Sequence, residues 1–433
     1  MKSVDVHVHV EHLTRIEGHG NIILDVEKGK IKQCQWQITE APRFFEAMVV
    51  GRTWDDIAEI TSRICGICSI AHTETSLKAT EAAFGIVPSE QTVLLRKLLL
   101  HGENLQSHIL HACYLVLPDL LGVGSVFPLI QTHTEAVLTI TRVHRLANEL
   151  CELVGGRTTH PCSTVVNGFT RIPSPKALET FRGRLEDALR DVQTIAEIVG
   201  SVGGKFPRFE RETEYIALAT KGEYALYDGD IASSDTGAIP DDRYREVTNE
   251  YIVPHSTAKF TKHARDSYMV GALARYNINH ALLTPGARKA AKKLGLAAPC
   301  HKPYLISVAQ LVECFHSIEG GMKLIDVLLD RGPKSEPISV KPKAGKGVGA
   351  VEAPRGLLIH EYEYDKNGVC VAADCVIPTN QNHANIQKDM EALAPTILER
   401  PEKEIELTLE MLVRAYDPCV SCSTHLLKVR RRS

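Results

Sequence analysis

The chain has 433 residues, of which 44% are hydrophobic and 24% are charged, and its formal net charge is -3. This balance is typical of a folded globular protein and argues against a polyanion-binding protein, so we expect no nucleic-acid partner. The first residues carry no apolar targeting core and no apolar run is long enough to cross a bilayer. We therefore expect a cytoplasmic protein without membrane insertion.

The N-terminal segment predicts β structure. Residues 4–10 alternate apolar and polar side chains, as in a half-buried strand, with His7 and His9 on the polar face. Residues 21–26 and 31–39 flank a Lys-Gly-Lys turn and predict a hairpin.

The middle of the chain is predominantly helical by its apolar periodicity. Thr53, with Asp56 three residues later, predicts a capping box. An irregular β segment is expected over 212–251, and a strand through His360 with a return strand to Cys375 is expected near the end. The predicted helices cover about 53–61, 69–84, 89–117, 131–154, 175–199 and 306–329.

Two Cys-x-x-Cys pairs stand near opposite ends of the chain: Cys65 with Cys68, and Cys419 with Cys422. Two residues between thiols allow both sulfurs to face one metal ion, and four thiolates suit zinc, iron–sulfur clusters or another thiophilic metal. A structural zinc site usually has its pairs close in sequence, and a chain of this size has a core of its own without a metal. Polar neighbours, among them Arg63, are of the kind that tune a reactive centre.

The first pair lies in Arg-x-Cys-Gly-x-Cys-x-x-x-His, from Arg63 to His72, and the second in Asp-Pro-Cys-x-x-Cys-x-x-His, from Asp417 to His425. Together these motifs resemble the signature pair of the large subunit of nickel–iron hydrogenases. The segments from Arg15 to His19 and from Gly156 to Pro161 resemble further parts of that family's pattern.

The resemblance implies a mainly α (α+β) fold, in which a multi-helix bundle core carries small peripheral β-hairpins. The whole chain, 1–433, would form one domain, and residues 426–433 would be a C-terminal extension removed by cleavage after His425. A cationic tail of this kind is costly to bury beside a closed metal site.

The same resemblance implies two metal sites. Cys65 and Cys419 would be terminal nickel thiolates, while Cys68 and Cys422 would bridge nickel to an iron that carries carbon monoxide and cyanide. A magnesium or iron ion near the C-terminus would bind Glu46, His425 and the backbone carbonyl of Cys375.

For catalysis the family pattern implies heterolytic splitting of dihydrogen, with the proton passing through Cys419 to Glu17. Arg355 would lie above the metals and orient Asp417, and His72 would hydrogen-bond a bridging sulfur. Ser107 stands where many relatives carry an acid. The residues expected to surround the diatomic ligands are Ala353, Pro354, Pro378 and Thr379.

Electrons would leave through an iron–sulfur small subunit, because the other cysteines show no ligand-like spacing. The resemblance is strongest to NAD(P)-linked hydrogenases, which implies flavin and iron–sulfur diaphorase subunits, a maturation endopeptidase and nickel chaperones as partners. Deazaflavin-linked, heterodisulfide-reductase-linked and electron-bifurcating relatives stay open, and the remoter alternatives are a zinc protein or the quinone-site subunit of complex I. The cysteines expected to be small buried hydrophobes are Cys34, Cys113, Cys151, Cys162, Cys300, Cys314 and Cys370.

Overall fold

The computed structural model describes residues 5–424. The chain begins with an antiparallel sheet of β1 (Val6–Val10), β2 (Gly20–Glu27) and β3 (Lys30–Ile38). As the alternation predicts, the valines of β1 are buried, while His7 and His9 face outward. Both rings lie 3.0 Å from Asp25 Oδ1, so the exposed face of β1 carries a hydrogen-bonded polar cluster.

Helices make up most of the remaining structure. In chain order they are α1 (Phe45–Val49), α2 (Trp54–Ser62), α3 (Ser69–Phe84), α4 (Glu90–Ile109), α5 (Leu117–Leu121), α6 (Leu129–Thr132), α7 (Thr134–Gly155), α8 (Pro175–Val202), α9 (Ala272–Asn279), α10 (Pro285–Lys293), α11 (Ile306–Arg331), α12 (Pro378–Leu393), α13 (Glu402–Ala415) and α14 (Val420–Ser423).

The long helices form the core. α4 packs against α7 and α11, and α11 also packs against α8. His101 of α4 faces Gly320 of α11, where an added Cβ would lie 2.8 Å from the ring, while His108 and His111 face Glu313 and Gln310. The two helices therefore run antiparallel, with a line of polar side chains between them.

The later strands form small sheets around this core. They are β4 (Thr164–Val165), β5 (Gly168–Phe169), β6 (Glu214–Ala219), β7 (Asp230–Ser233), β8 (Gly237–Ile239), β9 (Asn249–Tyr251), β10 (Phe260–Lys262), β11 (Tyr268–Met269), β12 (Gly345–Ala353), β13 (Gly356–Tyr364) and β14 (Cys370–Val376). The sheet orders are β11-β6-β7-β8, β12-β13-β14, β4-β5 and β10-β9. The irregular β segment and the hairpin through His360 are thus present as predicted.

Glycines on β12 allow α3 to lie directly on the strand. A Cβ at Gly347 would come within 2.2 Å of Ala79 O, and one at Gly349 within 2.3 Å of Thr75 O. Any side chain at these positions would push the helix away. Because α3 begins just after Cys68 and β12 ends just before Arg355, this close packing fixes the distance between two parts of the candidate site.

Two details of the helix predictions are wrong. The helix that begins after Ser89 does not stop at Leu117-Pro118: it passes through a π-helical segment, Leu110–Val116, into α5. Pro118 lies in the first turn of α5, directly after the π-helical segment. Thr53 is the N-cap of α2, but its hydroxyl lies 3.5 Å from Asp56 Oδ2 and makes no capping bond to the backbone.

Within residues 5–424, none of the helices combines the length and the hydropathy that a membrane crossing requires.

Candidate metal centre

The first cysteine pair lies in the turn between α2 and α3. The backbone N–H groups of Ile67 and Cys68 point at Cys65 Sγ, at 3.3 and 3.1 Å. Such donors stabilise a thiolate. The turn therefore places Cys65 just before the N-terminus of α3, in surroundings that stabilise its thiolate form.

The second pair lies on the C-terminal segment, which crosses back to the N-terminal region. Val420 N donates to Glu17 O at 2.9 Å, and Cys419 forms a parallel β-bridge with Glu17. Cys419 N donates to the hydroxyl of Thr379 at 3.0 Å. These bonds hold Cys419 beside the loop that carries Glu17.

The sulfurs converge. Cys65 Sγ lies 3.5 Å from Cys419 Sγ, and the sulfurs of Cys65, Cys419 and Cys422 lie within 4.8 Å of one another, all buried. Cys419 and Cys422 are joined as a disulfide, so binding of a metal by both requires their reduction. Cys68, also buried, lies 3.3 Å from Arg355 Nη1.

Arg43 links the two cysteine segments. Its guanidinium donates to Ser421 O at 3.0 and 2.6 Å and to Ile64 O at 2.5 Å, and its backbone N–H donates to Thr424 O at 2.6 Å. One side chain thereby ties the residue before Cys65 to the residue before Cys422. Hydrogen bonds from Arg43 to backbone carbonyls therefore hold the two cysteine segments close together.

Glu17 is the carboxylate in contact with a cysteine sulfur. Its Oε2 lies 3.1 Å from Cys419 Sγ and accepts a hydrogen bond from Ser421 N at 3.1 Å. The backbone bond keeps the carboxylate in place, within hydrogen-bond distance of the sulfur.

Arg355 and Asp417 form a buried ion pair over the first cysteine pair. Arg355 donates through Nε and Nη2 to Asp417 Oδ1, at 2.9 and 2.8 Å, while Nη1 reaches Cys68. Gln310 donates to the other carboxylate oxygen of Asp417 at 3.1 Å. Burial alone would lower the pKa of Arg355, but Asp417 and then Cys68 raise it overall, so the guanidinium stays charged.

The electrostatics favour one thiolate in the first pair. A hydrogen bond from Cys68 lowers the pKa of Cys65 to about 7 against the effect of burial, and Arg355 lowers it further. The pKa of Cys68 is raised well above its usual value by Cys65 and by burial.

Glu103 of α4 accepts hydrogen bonds from Ile70 N and Ala71 N, at 2.7 and 3.0 Å, and so caps α3 directly behind the cysteines.

The residues expected at the second ion are partly brought together. Glu46 of α1 is buried, and its Oε1 accepts a hydrogen bond from Cys375 N at 2.8 Å. His425, the third expected ligand, lies outside the described residues.

The remaining predicted residues lie around the centre with other contacts. His72 Nδ1 lies 3.2 Å from His360 Nε2. Ala353 O and Pro354 O accept hydrogen bonds from Arg275, and Pro378 begins α12. Arg63, by contrast, points toward the surface and pairs with Glu59 at 3.7 Å.

Six of the seven cysteines expected to be buried are buried, and Cys162 is exposed. It follows Pro161 in the irregular segment between α7 and β4. The prediction for Cys162 is therefore wrong, because a cysteine's environment depends on the surrounding element and not on its type alone.

Sequence reasoning did not find Arg43, Glu103, Gln310 or Arg275. Arg43 lies in the segment from Glu40 to Glu46, in which only Glu46 was predicted to have a role. Glu103 falls on the helix predicted over 89–117, and a charge on a helix that is expected in the core is a signal of a specific partner. The other two carry no comparable signal.

The donor set fits a soft transition metal. Once the Cys419–Cys422 disulfide is reduced, four buried cysteines from two segments offer thiolate ligands, and the pKa of Cys65 is lowered. Glu17 contacts the sulfur of Cys419, and Arg355 contacts that of Cys68. A zinc site that serves only structure does not require a proton acceptor and a fixed cation at this distance.

Comparison with known families gives one consistent result. The family described as nickel-dependent hydrogenase matches residues 43–139 and 260–425, more than half of the chain, and a family described as HoxL-like matches residues 7–41. The matched ranges include both cysteine pairs and the loop of Glu17.

Similar individual proteins agree. The chain is 31% identical to sulfhydrogenase 1 (its alpha chain) from Pyrococcus furiosus over 99% of this chain and 100% of the relative. It is 29% identical to a chain of the vhc F420-non-reducing hydrogenase from Methanococcus voltae, over 96% and 94% of the two chains. Its structure matches that of an NAD+-reducing nickel–iron hydrogenase in the H2-reduced state with a TM-score of 0.85 and 26% identity, covering 97% and 99%. The chain therefore belongs to the nickel-dependent hydrogenase family, as the catalytic large subunit of an oxidoreductase that acts on dihydrogen.

Proposed function

We propose that Cys65, Cys68, Cys419 and Cys422 hold a nickel–iron centre with carbon monoxide and cyanide on the iron. The observation that carries this is the buried convergence of cysteine sulfurs from the two ends of the chain, contacted by one carboxylate and one guanidinium. When bound, the centre supplies the metal at which dihydrogen is split heterolytically.

Glu17 is proposed as the first proton acceptor. A proton on Cys419 Sγ needs an acceptor within hydrogen-bond reach, and Glu17 Oε2 lies at 3.1 Å. Because Ser421 N holds the same oxygen, the carboxylate does not have to reorganise before the transfer.

Arg355 is proposed to polarise and position dihydrogen, with Asp417 fixing the plane of its guanidinium. Nε and Nη2 both donate to Asp417 Oδ1, which leaves Nη1 directed at Cys68. Thr379 holds the backbone of Cys419, and we propose that Ala353, Pro354 and Pro378 enclose the iron ligands with it. His72 is proposed to hydrogen-bond a bridging sulfur.

We further propose that Glu46, His425 and the carbonyl of Cys375 bind a magnesium or iron ion. Hard carboxylate and carbonyl oxygens suit such an ion, and Glu46 and Cys375 are already in contact. We propose that chaperones deliver nickel and that a maturation endopeptidase then cleaves after His425, which would complete this site. Mass spectrometry of the purified protein would show loss of residues 426–433 if this is correct. The whole chain is proposed to form one domain.

Electrons are proposed to pass through an iron–sulfur small subunit to diaphorase subunits and NAD(P) in the cytoplasm. The match to an NAD+-reducing hydrogenase supports this carrier, whereas several relatives are F420-non-reducing hydrogenases. Hydrogen-dependent reduction of NAD+, NADP+ and a deazaflavin by the purified complex would decide among the carriers.

The deciding test of the centre is metal analysis together with infrared spectroscopy of the processed protein. Nickel and iron in about equal amounts at the cysteine site, with carbonyl and cyanide stretching bands, are expected. Zinc in the cysteine site of fully processed protein, without those bands, would show that the assignment of the centre is wrong.

A further inference from the structure

Arg275 is a fully buried cation next to the candidate centre that has no role in the proposal above. It lies on α9 with no exposed surface and uses its whole guanidinium in hydrogen bonds. One side of this guanidinium faces carboxylates, and the other faces backbone carbonyls.

On one side Arg275 meets carboxylates. It donates through Nε and Nη2 to the two oxygens of Glu313 at 2.7 Å each, and through Nη1 to Glu352 at 2.9 Å. Glu313 is held further by the hydroxyl of Tyr224 at 2.6 Å and by His108 at 2.7 Å. Burial alone would lower the pKa of Arg275, but Glu313 and Glu352 raise it, so the cation is permanent and rigidly held.

On the other side Arg275 holds backbone. Its Nη1 and Nη2 donate to Ala353 O at 2.8 Å and Pro354 O at 2.9 Å. These are the two carbonyls that directly precede Arg355. The guanidinium therefore fixes the turn from which the Arg355 side chain extends toward Asp417 and Cys68.

The start of the same helix supports the turn from behind. Gly271, the N-cap of α9, lies so close to Arg355 that an added Cβ would be 2.9 Å from its carbonyl oxygen. α9 thus contacts three consecutive residues, Ala353, Pro354 and Arg355. A shift of Arg275 would be transmitted directly to them.

We propose that Arg275 is a positioning residue for the metal centre: it locks the turn Ala353–Arg355 against α9 and α11 so that the Arg355 guanidinium stays at a fixed place over the sulfurs. Lysine cannot replace it, because one ammonium group cannot bond a bidentate carboxylate and two carbonyls at once. A displacement of about 1 Å at such a site can lower a rate by roughly 100-fold.

Arg96 offers a matched control, because it is equally buried and is bound by Glu74 and Glu81 away from Arg355. We would compare Arg275→Lys with Arg96→Lys in the complete hydrogenase complex. The readouts are thermal unfolding, nickel and iron content, the infrared carbonyl and cyanide bands, and hydrogen oxidation per bound nickel.

Both variants should lose thermal stability. Only Arg275→Lys should shift the infrared bands and lower turnover per nickel, by about 10- to 100-fold. Bands and turnover per nickel equal to those of Arg96→Lys would overturn the proposal. If Arg275→Lys does not fold, Glu313→Gln removes the bidentate partner and should shift the bands in the same direction. A folded Glu313→Gln enzyme with wild-type bands and turnover would overturn it as well.

The positioning role of Arg275 rests on the role proposed for Arg355. A double-mutant comparison distinguishes a failure of one role from a failure of the other. If Arg275 acts through Arg355, Arg275→Lys should lower turnover per nickel little further in an Arg355→Lys background. Full additivity would overturn the positioning role while leaving that of Arg355 intact. Wild-type turnover of Arg355→Lys alone would instead overturn the role of Arg355, and the positioning role with it.

Discussion

The carboxylate of Glu17 lies 3.1 Å from the sulfur of Cys419, although the two residues are 402 positions apart in the chain. The contact joins an N-terminal loop to the C-terminal segment and is reinforced by the β-bridge between the same residues. A proton released at the sulfur therefore has an acceptor within one hydrogen bond.

Replacement of Glu17 by Gln should abolish this acceptor while keeping its shape. Gln can still accept the Ser421 N–H bond, so the metal content and infrared bands should be unchanged. General acid–base steps contribute about 10²- to 10⁴-fold, so hydrogen oxidation should fall by about that factor. Glu11→Gln, an exposed residue nearby in sequence, serves as the control. Retention of wild-type turnover by Glu17→Gln would show that protons leave by another route.

Replacement of Arg355 by Lys should lower hydrogen oxidation per nickel by about 100-fold. Lysine keeps the charge, but one ammonium group cannot replace the two bonds to Asp417 Oδ1 and also reach Cys68. Arg190→Lys, at an exposed pair with Asp187, is the control for the same substitution and should be silent. Turnover assays on protein of known nickel content test this, and equal rates for the two variants would contradict it.

The stability of the protein should fall as the pH rises toward neutrality because of Glu74. Burial raises the pKa of Glu74 from 4.5 to about 7, with Arg96 opposing the shift. The folded state therefore favours the protonated carboxyl, and the stability this provides is present below about pH 4.5 and is lost as the pH passes through about 7. The contribution is on the order of 3 kcal/mol.

Glu74→Gln should remove this dependence. The difference in unfolding free energy between variant and wild type, measured by denaturant titration at pH 5 and pH 8, should move in favour of the variant at the higher pH. Glu352, whose pKa burial also raises to about 7, is present in both proteins and cancels in this comparison. A difference that is the same at both pH values would mean that Glu74 is already ionised at pH 5.

Ordered water should bind beside buried polar residues of α4 and α11. Within the described chain, buried polar atoms of Asn104, Ser107 and His108 on α4 and of Ser317 on α11 have no hydrogen-bond partner. Buried polar atoms are almost always satisfied, and internal water is the usual partner where protein groups do not suffice. A high-resolution crystal structure should show at least one water within hydrogen-bond distance of these atoms. Side chains that instead turn to bond one another would contradict the expectation.

The cysteines of the candidate centre could be recognised in the sequence because the spacing within each pair is itself typical of metal ligands. Cys65 with Cys68, and Cys419 with Cys422, each form a recognisable pair before any fold is known. The long helices were also predictable, since α3 was expected over 69–84 and extends over Ser69–Phe84. In both cases the signal lies within a few turns of chain.

The helix α12 was not predicted, and its contacts explain why. Its inward face carries amide side chains that bond backbone groups: Gln381 donates to Leu357 O, and Asn382 accepts from Val270 N. Because these polar residues are buried, the sequence lacks the apolar periodicity on which helix prediction depends. Arg275 escapes prediction for a related reason, since its partners are supplied by packing and not by neighbours in sequence.

The bond network of Arg43 has a consequence for the order of folding. It joins Arg43 to Ser421 across 378 positions, and contacts of such sequence separation form late because closing a long loop costs chain entropy. The C-terminal segment with Cys419 and Cys422 should therefore dock after the core has formed. Until that segment docks, the turn of Cys65 and Cys68 stays open to solvent. The time before docking would then set the period during which a metal ion can reach these cysteines.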